Sequence, residues 1–203
     1  MRSLSVAVLV ASLTVFVVPG DSAPAANDYG HMHMLFEKTF LGFDVARVDV
    51  WFDNATRDHL RGLAAGQRYS EQIAEKIART ALQAGDVQVQ VEFVRNASLG
   101  EFLDAARDNL ARARNAGYIS SDVFATSWRG VQSDFARLAS RGFKDGDRLI
   151  YRARADSLQT TVRSGNRVLL DVTSRDPGAR LSMIASYFAP RSDFRKGLIK
   201  SLF

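Results

Sequence analysis

Residues 148–172, RLIYRARADSLQTTVRSGNRVLLDV, contain three short segments with the composition of β-strands. These segments are 148–154, 157–163 and 167–172. The residues between them, 155–156 and 164–166, are small, polar or glycine, which is typical of tight turns. Three strands joined by two tight turns predict an antiparallel meander.

Two regions upstream of the meander also have the pattern of strands. In residues 87–93, four apolar residues alternate with Gln88, Gln90 and Glu92, which is the period of a strand with one buried face. Residues 31–52 are rich in strand formers, and Gly42 predicts a bend between two strands there. We expect Asn54 and Ala55 to end this extended region.

Helical spacing of apolar residues fills most of the remaining chain. The predicted helices cover residues 69–82, 98–117, 124–138, 176–190 and 192–203. Ser98 is the expected N-cap of the second helix, and Pro177 stands at the first helical position of the fourth. Trp128 lies at the centre of the apolar stripe of the third helix, so its side chain is predicted to be largely buried. Strands and helices in this order predict an α+β fold, a mainly antiparallel sheet with a layer of packed helices.

The composition fits one folded domain and excludes several kinds of chemistry. The chain has 203 residues, of which 46% are hydrophobic and 24% charged. It has no cysteine, which excludes disulfides, thiolate metal sites and a cysteine nucleophile. It has neither a glycine-rich phosphate loop nor a Gly-x-Ser-x-Gly motif. The sequence therefore predicts no cofactor and no metal site.

The net charge of +5 does not point to nucleic acid. The basic residues alternate with acidic ones, as in Arg57-Asp58 and Arg107-Asp108, and form no basic run with aromatic residues between. An arginine-rich solvated surface explains the charge, so we expect no nucleic-acid partner.

The N-terminus has the features of a secretory signal peptide. Arg2 precedes an apolar stretch over 4–18, and the small residues of 22–26 follow Pro19-Gly20. We predict a signal peptide over 1–25 and one domain over 26–203, exported to the periplasm or secreted. The alternative is an uncleaved membrane anchor. After cleavage, no later segment is apolar enough to span a bilayer, so we expect no stable membrane insertion.

Three parts of the chain resemble the chalcone isomerase-like family. Residues 36–52, FEKTFLGFDVARVDVWF, are similar to its opening strand pair, and 91–95, VEFVR, to the strand that leads into its central helices. Residues 146–203 are similar to its C-terminal strands and helices. The chain thereby resembles a bacterial-type, exported and non-catalytic member. The resemblance implies a large antiparallel sheet, a layer of helices and a ligand cleft between them.

The resemblance also implies where the catalytic groups of the plant enzymes would fall. Those enzymes use an arginine, a threonine, a tyrosine and an asparagine, which correspond here to Lys38, Ala46, Phe102 and Asn109. Phenylalanine cannot donate the hydrogen bond that stabilises a developing oxyanion, so the polar set is incomplete. Non-catalytic members resemble fatty-acid-binding proteins, which hold an acyl chain in the cleft and its carboxylate on a cation.

Five residues form the candidate ligand-binding set: Lys38, Arg47, Arg95, Phe102 and Asn109. The three cations are alternatives for a ligand carboxylate, with Lys38 first, Arg95 second and Arg47 third. Lys38 could instead be a surface residue, and Arg47 could instead pair with Asp49 or Asp44. Phe102 and Asn109 are two helical turns apart and share the apolar face of their helix. For Asn109, a structural hydrogen bond to a strand carbonyl is the alternative to a ligand contact.

These observations lead to three hypotheses about function. The first is a non-catalytic domain that binds a small apolar or carboxylate-bearing ligand, such as a fatty acid, in the cleft between sheet and helices. The second is an intramolecular lyase (isomerase) with a divergent polar set. The third is a structural protein of the envelope whose cleft is filled by side chains. A void between sheet and helices distinguishes the first hypothesis from the third, and the sequence leaves the oligomeric state open.

Overall fold

A six-stranded antiparallel sheet forms one layer of the protein. The computed structural model describes residues 31–37 and 44–203; the expected signal peptide, Lys38 and Gly42 lie outside these ranges. The strands are β1 Met32–Glu37, β2 Asp44–Phe52, β3 Val87–Phe93, β4 Asp147–Arg154, β5 Ser157–Ser164 and β6 Arg167–Ser174. Each strand pairs with the next in chain order, β1-β2-β3-β4-β5-β6. The predicted meander is therefore the second half of a larger one.

Helices form the second layer of the structure. They are α1 Asn54–Ala64, α2 Glu71–Leu82, α3 Leu99–Asn115, α4 Ser121–Phe135, α5 Pro177–Phe188 and α6 Arg195–Lys200. The helices α1 and α2 connect β2 to β3, and α3 and α4 connect β3 to β4. This arrangement confirms the predicted α+β class. Among the described helices, none is both long and apolar enough to cross a membrane.

The core lies between the helices and one face of the sheet. In β3, Val87, Val89, Val91 and Phe93 are buried, whereas the alternating Gln88, Gln90 and Glu92 are only partly buried. This pattern confirms the predicted half-buried strand. The buried face belongs to a cluster that reaches from β1 to α6. Burial of this apolar area from water is the main force that holds the two layers together.

Two helix starts are formed by the residues that predicted them. The Ser98 Oγ accepts a hydrogen bond of 3.1 Å from the Glu101 N–H, and the Ser98 N–H donates to the Glu101 carboxylate at 2.8 Å. This reciprocal capping box begins α3. Asp176 caps α5, with Pro177 at its first position.

Two helices differ from the expectation. The extended region ends before Asn54 as predicted, but Asn54 also begins α1, a helix that was not predicted; Asp53 accepts a hydrogen bond of 2.9 Å from the Thr56 N–H and caps it. The last predicted helix, 192–203, is reduced to the six residues of α6.

Trp128 is only partly buried, which corrects the expectation that its side chain would be at the centre of the core. Helix α4 turns Ser127 inward instead, and the Ser127 and Ser182 hydroxyls form a buried hydrogen bond of 2.8 Å with α5. Trp128 packs against a smaller second cluster, and the Arg107 guanidinium lies 5.9 Å from its ring centre.

Candidate ligand cavity

A cavity of about 430 Å³ lies between the inner face of the sheet and helices α3, α4 and α5. Most of its wall is apolar, and Phe36, Val91, Phe93, Phe102, Phe135 and Leu149 contribute to it. Its volume is within the range of about 300–1,000 Å³ that is typical of small-molecule sites. The interior between sheet and helices is thus open at the position where the resemblance implied a cleft.

Phe102 lies in an aromatic wall at one side of this cavity. Its ring centre is 4.6 Å from that of Phe135 and 4.9 Å from that of Phe143. Phe143 is fully buried and stacks on Phe93 with ring centres 4.2 Å apart. The side chain of Phe102 therefore presents an apolar surface to the cavity and has no donor to offer there.

Arg95 places a cation at the cavity, two residues after the end of β3. Its side chain is partly buried, and its Nε–H is buried without a hydrogen-bond acceptor among the described residues. Across the described ranges, 31–37 and 44–203, no carboxylate or carbonyl pairs with this guanidinium. A guanidinium removed from water without a partner is unfavourable, whereas an anionic ligand group would supply the missing acceptors.

Asn109 also lines the cavity, but its amide is engaged within the protein. The Nδ2 group donates to the Ala105 carbonyl at 2.9 Å and to the Asp193 carboxylate at 3.2 Å. The Oδ1 atom accepts from the Asp193 N–H at 3.0 Å and from Arg112 at 3.1 Å. Both donors and both lone pairs are used, so the side chain fastens the segment before α6 onto α3. The partners are a helix carbonyl and this segment, not the strand carbonyl expected from the sequence.

Of the other two predicted cations, the structure describes only Arg47, and it lies away from the cavity. Arg47 is exposed on β2 between the buried Ala46 and Val48, so its side chain projects from the opposite face of the sheet. Its cross-strand neighbours there are Leu35 and Glu92. Lys38 lies outside the described residues, and its proposed role stays a prediction.

Several polar residues that the sequence analysis did not select also line the cavity. Among them are Asp134 on α4, Tyr151 on β4 and Tyr187 on α5. Burial raises the pKa of the Tyr187 phenol, and the nearby Tyr151 adds to the shift. Burial likewise raises the pKa of Tyr151, with a further contribution from the charge of Asp134. Both tyrosines therefore keep their protons at neutral pH and can act as hydrogen-bond donors.

One signal in the sequence could have identified Tyr151. In the strand 148–154, Leu149, Tyr151 and Ala153 alternate onto the apolar face, which places a phenol hydroxyl inside. Asp134 and Tyr187 carry no such signal, because their positions depend on how α4 and α5 are rotated against the sheet.

Within the described parts of the chain, no group of three or more His, Cys, Asp or Glu side chains could hold a metal ion.

The sheet, its helical layer and the cavity between them together define the chalcone isomerase-like fold. The structure is similar to the crystal structure of a fatty-acid binding protein from Arabidopsis thaliana, with a TM-score of 0.57 and 12% sequence identity. The similarity covers 86% of this chain and 85% of that chain. No protein-family model matches the sequence, and no curated protein matches it. At this identity the likeness establishes the fold.

Proposed function

We propose that this protein is a non-catalytic binding domain that holds a small amphipathic acid, such as a fatty acid, in the cavity beneath the sheet. The observation that carries the proposal is the Arg95 guanidinium, which has no partner among residues 31–37 and 44–203 and lies at the wall of an otherwise largely apolar cavity. The cavity would enclose the apolar part of the ligand, and Arg95 would bind its carboxylate. The Arabidopsis protein of the same fold is a fatty-acid binding protein, which supports this class of ligand.

The charge of Arg95 explains why an acid is a better ligand than a neutral lipid. A carboxylate would satisfy the guanidinium with charge-assisted hydrogen bonds, which contribute about 1.5–3 kcal/mol. An ester or an alcohol would leave the positive charge uncompensated. The contribution corresponds to roughly 10- to 150-fold in affinity.

The test is a titration of the full chain with hexadecanoic acid, followed by native mass spectrometry of the complex. We expect Arg95→Met to weaken binding by roughly 10- to 150-fold. Arg47→Met is the matched control, because it removes the same charge from the exposed opposite face of the sheet; its affinity should stay within about twofold of the wild type. Absence of binding at micromolar acid, or equal losses in the two variants, would contradict the proposal.

Both alternative functions are less well supported. The structural hypothesis predicts that side chains fill the cleft, whereas a cavity of about 430 Å³ is present. An intramolecular lyase would use Asn109 on its substrate, but all the hydrogen-bonding capacity of this amide is taken up within the protein. Turnover of a chalcone-like substrate that is lost in Asn109→Ala would restore the lyase hypothesis.

We further propose that the protein acts outside the cytoplasm after removal of residues 1–25. The support is the short apolar stretch over 4–18, with Arg2 before it and small residues after it. N-terminal sequencing of the native protein should find a mature chain that begins near Ala26 or Asn27. A chain that retains Met1 in the membrane fraction would indicate an anchor instead.

A further inference from the structure

The cavity wall contains polar groups besides Arg95. Across residues 31–37 and 44–203, nothing forms a hydrogen bond with the hydroxyls of Tyr151 and Tyr187 or with the carboxyl group of Asp134, whose charge interacts with Arg137. All three residues line the cavity, and only 6% of the Tyr187 surface is exposed. A ligand that fills the cavity removes these groups from water, so it must offer them hydrogen-bond partners.

The positions of these groups make them one cluster. Tyr151 on β4 is directly opposite Thr160 on β5, another buried polar residue that lines the cavity. The Cβ atoms of such a cross-strand pair are neighbours, so Thr160 lies beside the base of the Tyr151 side chain on the same face of the sheet. The charge of Asp134 acts on Tyr151, and Tyr151 acts in turn on Tyr187. The cluster therefore combines groups from β4, β5, α4 and α5 around a single part of the cavity.

The chemistry of the cluster distinguishes between ligand groups. A plain alkyl chain would leave every donor and acceptor unsatisfied. A ketone could accept from the tyrosines but has no proton for Asp134, and an ammonium could donate to Asp134 but cannot accept from a phenol. A hydroxyl group does both, because it is a donor and an acceptor at once.

We propose that Asp134, Tyr151, Thr160 and Tyr187 form a second polar subsite that binds a hydroxyl group of the ligand. The ligand is then an acid with a hydroxyl group on its apolar part, not an unsubstituted fatty acid. The inference rests on the proposed function, because Arg95 binds the carboxylate while the cluster binds the hydroxyl. The ligand is thereby held at two points inside an apolar enclosure.

The experiment compares hexadecanoic acid with a series of hydroxyhexadecanoic acids that differ in the position of the hydroxyl group. An added hydroxyl weakens binding to an apolar cavity unless the protein provides a partner, so the sign of the difference is diagnostic. We expect at least one isomer to bind the wild-type chain about 3- to 10-fold more tightly than hexadecanoic acid. Competition titrations against one fluorescent fatty acid measure all affinities on a common scale.

Tyr151→Phe should remove this preference and leave the affinity for hexadecanoic acid equal or higher. Tyr69→Phe is the matched control, because the Tyr69 hydroxyl donates to Glu71 at 2.7 Å on the exposed surface and should not affect the preference. Tyr187→Phe provides a second variant in case Tyr151→Phe does not fold. If hexadecanoic acid binds in an Arg95-dependent manner but no hydroxylated isomer is preferred, the subsite is overturned and the proposed function stands. If none of the acids binds, both proposals are overturned.

Discussion

Replacement of Asn109 by alanine separates a structural role from a ligand-binding role at this position. The side chain is 1% exposed and takes part in four hydrogen bonds, with Ala105, Arg112 and the N–H and carboxylate of Asp193. We expect the substitution to destabilise the fold, because these bonds attach the segment before α6 to α3. The same substitution should have little effect on the affinity for the ligand.

The size of the expected destabilisation depends on which hydrogen-bond partners of Asn109 can bind water instead. The Arg112 and Asp193 side chains are each 32% exposed and remain paired with one another, so the loss of their bonds to Asn109 contributes little. The Asp193 N–H loses its acceptor in a partly buried position, and the loss of such a hydrogen bond costs about 0.5–1.5 kcal/mol. With the lost packing of the buried Asn109 side chain added, we expect a decrease of about 1–3 kcal/mol in the free energy of unfolding.

Urea unfolding followed by circular dichroism measures this loss. Asn115→Ala is the matched control, since Asn115 is exposed on the same helix, and its effect should stay within about 0.5 kcal/mol. Titration of the folded Asn109→Ala variant with hexadecanoic acid should give a dissociation constant within about threefold of the wild type. If stability is unchanged and acid binding is lost, Asn109 is a ligand contact and the structural interpretation is refuted.

Three further predictions concern the core, the loss of stability at low pH and one turn. Phe143→Ala should lower the free energy of unfolding by about 3–5 kcal/mol, because Phe143 is fully buried. Trp128→Ala should lower it by clearly less, because Trp128 is only partly buried. Equal losses of the two variants in urea unfolding would contradict this difference. Burial alone would raise the pKa of the Asp147 carboxyl. Hydrogen bonds from the Arg141 guanidinium and from the Lys144 backbone N–H lower this pKa below its usual value. The stability that the ionised Asp147 contributes is therefore present above about pH 4 and is lost as the pH falls toward the lowered pKa. Unfolding midpoints measured from pH 5 to 3 should therefore fall less steeply in Asp147→Asn than in the wild type. Gly142 has a φ of 64°, and a Cβ there would lie 2.5 Å from a backbone oxygen. Gly142→Ala should thus lower the melting temperature more than Gly66→Ala, which has a φ of 68° but open space around it, and a similar shift in both would be evidence against the close approach.

Much of the fold could be predicted from local patterns. The alternation over 87–93, the turns of the meander and the caps at Ser98 and Asp176 lie where the sequence placed them. These features depend on backbone geometry and on neighbours in the chain, so their signals are local. The start of α1 at Asn54 was missed because its cap, Asp53, follows directly on a strand.

The composition of the cavity was decided by the tertiary structure. The sequence offered Lys38 as the first candidate cation, Arg95 as the second and Arg47 as the third. The register of β2 turned Arg47 to the opposite face of the sheet. The rotation of α4 and α5 against the sheet brought Asp134 and Tyr187 to the cavity, although each is far from Tyr151 in the chain.

The sequence by itself determined most of the strands and helices, with the exception of α1, and that they form an α+β domain. Only the tertiary structure decided that Trp128 is a peripheral residue and that Asn109 is a structural one. It also decided that Arg95 lies at a cavity wall with no partner in the part of the chain that the structure describes. The physical reason is the range of the interactions. Period and capping are set within a few residues, whereas the environment of a side chain depends on elements that are distant in the chain and packed against it.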